Sequence, residues 1–305
     1  MAADKFIKYI LRICDGLFSK IWAYQNAVRV ARKHFVNWPE LVVSAFLGRD
    51  GVFRARAGGA ISYDAKKLLR KFVRMEYVWR LYGDVLPSVR FENDSIIIPN
   101  YFGRDFRVPF KAEGVTPPSF LNNKHYPFEV MNDVVLDIGA YLGDTPLMWL
   151  YKGAKSVIAV EPVPLHFQYL VRNVEGLPVI CLNASLAVQL PKVPVLEGSV
   201  GYGLSNIDQG RVNELLDVPI VQLIDLVKIY HPTVVKLDCE GCEHYVLEEL
   251  SQIPQLGVKK IAVEFHKVRG FDPYASLAFL EEKLGKGFKM WEMEKGIYMM
   301  YWCKW

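Results

Sequence analysis

Apolar and polar positions along this chain follow two rhythms, with the change near residue 129. In residues 4–35, Ile7, Ile10, Ile13, Leu17 and Ile21 recur at three- and four-residue steps, with Lys5, Lys8, Arg12 and Lys20 between them. That spacing gathers apolar side chains on one helical face and predicts one or two amphipathic helices. Asn37-Trp38-Pro39 marks a stop or restart, because proline disfavours helix at the residue before it. Helical patterning resumes over Leu41–Leu47 and again over the charged stretch Ala65–Tyr82. Ser95–Pro99 and Phe106–Phe110 read as two short strands that pair as a hairpin across Tyr101–Asp105.

Beyond residue 129, apolar runs alternate with helix-like ones. The expected strands are Val134–Ile138, Ser156–Val160, Pro178–Leu182, Thr233–Leu237 and Lys260–Phe265, nearly continuous in Val, Ile and Leu. Such runs suit strands buried on both faces of a parallel sheet. Helices are expected over Pro146–Tyr151, Pro164–Val174, Val221–Tyr230, Glu243–Leu250 and Pro273–Leu284. Two final strands flank Lys295-Gly296, a hairpin turn signal. A parallel α/β run closed by an antiparallel hairpin is the expected ending of a class I methyltransferase. The chain therefore divides into a basic, mainly helical region with a small β-hairpin over residues 1–128 and a Rossmann-like α/β domain over 129–305.

Charge sharpens that division. The chain carries a net +4, yet residues 1–80 hold 16 Lys+Arg against 6 Asp+Glu. An excess of +10 there predicts either a solvated basic face or contact with something anionic, such as nucleic acid or a membrane surface. With 51% hydrophobic residues the chain can bury a core without staples. Cys14, Cys181, Cys239, Cys242 and Cys303 form no even framework, which favours reduced thiols and a cytoplasmic location. Cys239 and Cys242 read C-x-x-C, but no second pair completes a zinc site, so no metal is assigned. Lys8 and Arg12 interrupt the apolar start long before the roughly 18 residues of a membrane span, and no cleavage signal follows.

Five strand tips carry the candidate chemistry. The first is Asp137-Ile138-Gly139-Ala140-Tyr141-Leu142-Gly143-Asp144-Thr145, an acidic strand end followed by glycines that lead into a helix. Its G-x-x-x-G spacing differs from the dinucleotide G-x-G-x-x-G, which argues against a nicotinamide dehydrogenase. Asp137 suits the cationic amino-acid end of S-adenosylmethionine, while Asp144 and Thr145 can cap the next helix. Glu161-Pro162 ends the second strand 24 positions after Asp137, near the roughly 20-residue offset at which a carboxylate receives ribose hydroxyls. Asn183, Ala184 and Ser185 end the third strand with small groups suited to an adenine edge. In the fourth, Lys236-Leu237-Asp238-Cys239-Glu240-Gly241-Cys242-Glu243 places Asp238 and Glu240 at like parity. Glu264 and His266 share one face at the end of the fifth strand.

Together D-I-G-A-Y-L-G-D-T at 137–145, V-E-P at 160–162, K-L-D-C-E-G-C-E at 236–243 and V-E-F-H at 263–266 resemble the FkbM family of methyltransferases. The resemblance implies an S-adenosylmethionine-binding fold and methyl transfer to a hydroxyl, often on a glycan or a polyketide. It also implies Asp137, Gly139, Gly143 and Glu161 as cofactor contacts and Asp238, Glu240 and His266 as active-site residues. A hydroxyl acceptor needs a base within about 3 Å. Asp238 or His266 is the expected base, with Glu240 holding the acceptor or a divalent ion and Lys236 pairing with the acids. The G-S-V-G-Y-G stretch at 198–203 is a candidate lid or an exposed connection. Two alternatives use the basic N-terminal region: a nucleic-acid methyltransferase, and a non-catalytic module that binds a partner. Its first helix can also touch a membrane surface peripherally.

Overall fold

The computed structural model describes residues 25–110, 112, 115–126, 128–186, 193–195, 214–216, 218–266, 270–285, 287–294 and 297–304. The expected amphipathic stripe Ile7–Ile21, Cys14, the 198–203 stretch and the Lys295-Gly296 turn lie outside those residues. The chain forms two compact units, residues 1–110 and 111–305. No helix among the described residues is long and apolar enough to cross a membrane.

The first unit contains helix α1 over residues 25–34, α2 over Trp38–Leu47 and α3 over Ala65–Leu81. Asp64 starts α3 by accepting a hydrogen bond from the Lys67 N–H at 2.8 Å, a standard way to satisfy a free helix donor. An antiparallel hairpin joins β1, Asp50–Arg54, to β2, Ala60–Asp64. A three-stranded sheet contains β3, Arg90–Glu92, β4, Ser95–Tyr101, and β5, Arg104–Pro109. The expected β4–β5 hairpin is present. The β1–β2 hairpin and β3 add strand content that the hydrophobic pattern did not announce, because only Phe53 and Ile61 of β1 and β2 are buried.

Glu76 on α3 is buried and accepts from His34 at 2.7 Å and from Lys33. Burial alone raises its proton affinity, but the His34 and Lys33 bonds outweigh it and bring the carboxyl from 4.5 to about 2. Burial lowers His34 despite the adjacent carboxylate, so a neutral imidazole serves as donor. A carboxylate depressed on folding stabilises the folded state above its unfolded value and loses that contribution as pH falls toward its folded value. Roughly 3 kcal/mol of stability should therefore disappear between about pH 4.5 and pH 2. Acid titration by circular dichroism checks this, and Glu76→Gln should flatten the slope. An unchanged slope would remove Glu76 as its source.

The second unit is a seven-stranded, mostly parallel sheet with helices, a Rossmann-like class I methyltransferase fold. Its strands are β6, Val134–Ile138, β7, Ser156–Val160, β8, Val179–Leu182, β9, Val234–Leu237, β10, Lys260–His266, β11, Phe288–Glu294, and β12, Ile297–Cys303. Their order is β11-β12-β10-β9-β6-β7-β8, with β12 antiparallel to β10 and to β11. The helices are α4, Asp144–Tyr151, α5, Pro164–Asn173, α6, Leu223–Tyr230, α7, Leu247–Gln252, and α8, Pro273–Leu284. The expected helix from Glu243 starts instead with a 3-10 turn over Cys242–Tyr245. Residues 111–128 group with this unit. There the Tyr126 and Phe128 rings meet Trp149 at 5.1 and 5.4 Å, and Phe128 stacks on Tyr301 at 4.6 Å.

The order places β6 and β9 side by side at the centre, pairing Lys236 with Asp137. Strand order reverses at this point, with β7 and β8 beyond β6 on one side and β10 beyond β9 on the other, and ligands of open α/β sheets bind at the carboxyl ends beside such a switch.

Candidate active site

The β6 and β9 tips are tied together by a buried cation. Lys236 and Asp137 are both fully buried, with Nζ 3.0 Å from Oδ1. The same ammonium donates to the carbonyls of Ile138 and Gly139 at 3.1 and 2.7 Å. Burial disfavours the charge, yet Asp137 and Asp238 outweigh it and raise the lysine above its ordinary value. Asp137 also receives the Trp149 indole N–H at 3.0 Å. The carboxylate expected to meet the cofactor's cationic end is thus engaged by the chain's own cation.

Gly139 turns the backbone at φ +77, and a Cβ there would lie 1.7 Å from the Asp238 carbonyl oxygen. Only glycine tolerates both the left-handed conformation and that approach. The Gly139 and Ala140 N–H groups donate to Val160 O at 2.9 and 3.0 Å. Tyr141 follows at φ +48, and its N–H reaches Glu161 Oε2 at 2.9 Å. Glu161 Oε1 accepts from the Val163 N–H at 3.0 Å. Asn183 donates to the Glu161 and Pro162 carbonyls at 2.8 and 3.1 Å, which brings the β7 and β8 tips together beside Ala184 and Ser185. Gly143 precedes α4 at φ +96. Asp144 is buried there, and desolvation, then Asp137, push it up to about 6 against the pull of Lys236. The Thr145 hydroxyl is buried with no hydrogen-bond partner among the described residues.

Across Gly139 stands an acid cluster. After β9 the loop bends through Glu240 at φ +57 and Gly241 at φ +113. Buried Glu243 braces this bend, receiving the Cys239 and Gly241 N–H groups at 2.8 Å each. Cys239 and Cys242 are joined as a disulfide with Cα atoms 5.4 Å apart. The expectation of free thiols fails there, because the left-handed pair between them folds the loop back on itself. Cys181 and Cys303 are free.

His266 sits at the centre of the cluster. Its Nδ1 faces Glu243 Oε1 at 3.3 Å, and its Nε2 faces Glu264 Oε1 at 3.4 Å, Glu240 Oε2 at 3.6 Å and Asp238 Oδ1 at 3.9 Å. Burial would discharge the imidazole, but Glu240, Glu243 and Glu264 outweigh it and hold its affinity well above ordinary. Burial pushes Asp238 up to about 6 and Glu240 up to about 7. Glu264 behaves oppositely: burial raises it, and hydrogen bonds from His125 and His266 pull it below its usual value.

Asp238, Glu240 and His266 come together as expected. His125, bonded to Glu264 at 2.6 Å, was missed. It lies in a π-helical turn, Leu121–His125, where no periodic pattern marks it. Its ring stacks on buried Tyr126 at 4.2 Å.

The family profile described as "Methyltransferase FkbM domain" matches residues 137–290. No curated protein matches the chain. Among solved structures, the FkbM methyltransferase of Methylobacillus flagellatus KT is similar at 17% identity, over 61% of this chain and 48% of its own, with a TM-score of 0.42. This chain thus spans about half the length of that protein. The SAM-dependent methyltransferase of Agrobacterium tumefaciens is similar at 12% identity, over 70% of this chain and 71% of its own, with a TM-score of 0.41. Streptococcus pneumoniae Sp1610, solved with S-adenosyl-L-methionine, is similar at 14% identity over 61% and 69%, with a TM-score of 0.36.

Proposed function

Because the chain belongs to the FkbM methyltransferase family, we propose that it transfers the methyl group of S-adenosylmethionine to a hydroxyl of a glycan or other small-molecule acceptor. The observation that carries this reading is the meeting of two loops at Gly139, one built around Glu161 and the other bearing the acid cluster. The cofactor fits the first side by chemistry. Glu161 keeps a lone pair on each oxygen after its two main-chain bonds, matching two ribose hydroxyls. The unpartnered Thr145 hydroxyl leaves a donor for the cofactor. Asn183, Ala184 and Ser185 would border the adenine. Asp137 serves indirectly, by fixing Lys236 and through it the Ile138 and Gly139 carbonyls.

The bound cofactor supplies a methyl group on a cationic sulfur, which keeps the C–S electron pair when the methyl departs. The acceptor oxygen gives a lone pair to the new C–O bond and its proton to Glu240. Among the carboxylates around His266, the Glu240 side chain is the most open at 35%, against 26% for Asp238 and 9% for Glu264. An acceptor arriving from solvent therefore meets it first. Asp238 orients the acceptor, and His266 fixes both acids. Positioning supplies much of the acceleration in such a displacement.

Glu161→Gln should raise the dissociation constant for S-adenosylmethionine by about 10- to 100-fold, the worth of one or two hydrogen bonds to a charged group. Calorimetry checks this, and unchanged affinity would remove Glu161 from the cofactor site. Failure of the unaltered chain to bind the cofactor would favour a non-catalytic module. The +10 charge of residues 1–80 favours a nucleic-acid acceptor as a second reading. Nucleic-acid binding that falls steeply with salt would support it, and flat binding would exclude it. In the first reading, the N-terminal region selects the acceptor.

A further inference from the structure

We propose that the β9 and β10 tips form a divalent-cation site ligated by Asp238 Oδ1, Glu264 Oε1 and His266 Nε2, with Glu240 at its rim. One donor atom from each of the three ligands lies within 4.8 Å of the others. Donors around a magnesium-sized ion sit about 2.1 Å from it. Neighbouring donors of an octahedral shell are then roughly 3.0 Å apart and opposite ones roughly 4.2 Å apart. The separations from His266 Nε2, at 3.4, 3.6 and 3.9 Å, fall inside that window.

Those same separations are too long for a charge-assisted hydrogen bond, which closes to about 2.7–2.9 Å. His266 is 5% exposed. Its Nε2 points into the cluster, yet no acceptor among the ion pairs described stands nearer than 3.4 Å. A single N–H cannot satisfy three carboxylate oxygens, whereas a cation at their common focus, taking the place of the Nε2 proton released to solvent, satisfies all of them and the ring nitrogen.

Each ligand is also held from behind. Glu243 Oε1 faces His266 Nδ1 at 3.3 Å, His125 Nε2 bonds Glu264 Oε2 at 2.6 Å, and Lys236 Nζ stands 3.7 Å from Asp238 Oδ2. Outer partners of this kind fix the tautomer and rotamer of metal ligands. Two carboxylates and one imidazole, with space left on the Glu240 side, suit Mg²⁺ or Mn²⁺ rather than a thiolate-seeking metal. Resting on the methyl-transfer reading, the cation takes an acceptor that presents two adjacent oxygens.

The test titrates the full chain with MnCl₂ and follows free Mn²⁺ by electron paramagnetic resonance. One bound ion per chain is expected, lost in Glu264→Gln. His125→Asn, which touches only the outer layer, should weaken binding by about 10- to 100-fold. Circular dichroism and cofactor calorimetry establish that each variant is folded. Absence of Mn²⁺ binding, or binding indifferent to both substitutions, overturns the site. Methyl transfer that proceeds fully in a chelator without bound Mn²⁺ does the same and leaves the transfer reading standing. Mn²⁺ binding without cofactor binding supports the cation site and overturns the transfer reading.

Discussion

Lys236→Met should cost about 3–5 kcal/mol of folding stability, the usual effect of stranding a buried charge. Lys236 and Asp137 are completely enclosed, so no water replaces the ammonium once it is gone. The Ile138 and Gly139 carbonyls lose a donor in the same step. Guanidinium unfolding measures the change, read as a lower midpoint with the slope retained. Adding Asp137→Asn should recover part of the loss, because the stranded charge is then removed. A single variant within about 1 kcal/mol of the parent would show that the pair contributes little to the sheet centre.

Glu240→Gln and Asp238→Asn should each lower kcat by about 10²- to 10⁴-fold, the range associated with a positioned proton acceptor. Neither residue belongs to the Glu161 side, so the dissociation constant for S-adenosylmethionine should stay within about threefold of the parent. Methyl-labelled cofactor offered with a panel of hydroxylated acceptors gives the first quantity, and calorimetry gives the second. Full turnover in Glu240→Gln would remove it as the proton acceptor. A joint loss of turnover and cofactor affinity would instead mean that the β9 loop had collapsed.

The parallel sheet was legible because its strands are buried on both faces and read as unbroken Val, Ile and Leu. Val134–Ile138 and Ser156–Val160 coincide with the expectation at both ends. The β1–β2 hairpin was hidden by its short strands and their exposed Arg54, Ala60 and Ser62. Its signal was the Gly58-Gly59 turn, where both glycines take positive φ.

At the site, strand parity was enough to bring Asp238, Glu240 and His266 together. It could not reveal His125, which meets Glu264 from 139 positions away in the chain. Nor could it show that Asp137 would be claimed by Lys236, since that depends on the register of β6 against β9. The Cys239–Cys242 bond escaped because spacing was judged by the needs of zinc, while the backbone bend at Glu240 and Gly241 decides it.

The contact between Gly139 and the Asp238 carbonyl has a consequence for how this catalyst can be reshaped. On the proposed reading, the cofactor and acceptor sides share one partition of main chain, the close approach of Gly139 to the Asp238 carbonyl. Their mutual spacing is therefore set by peptide geometry, and no choice of rotamer retunes it. On that reading, room for a bulkier acceptor comes from the Glu240 side, whose side chain is 35% exposed, rather than from this main-chain contact.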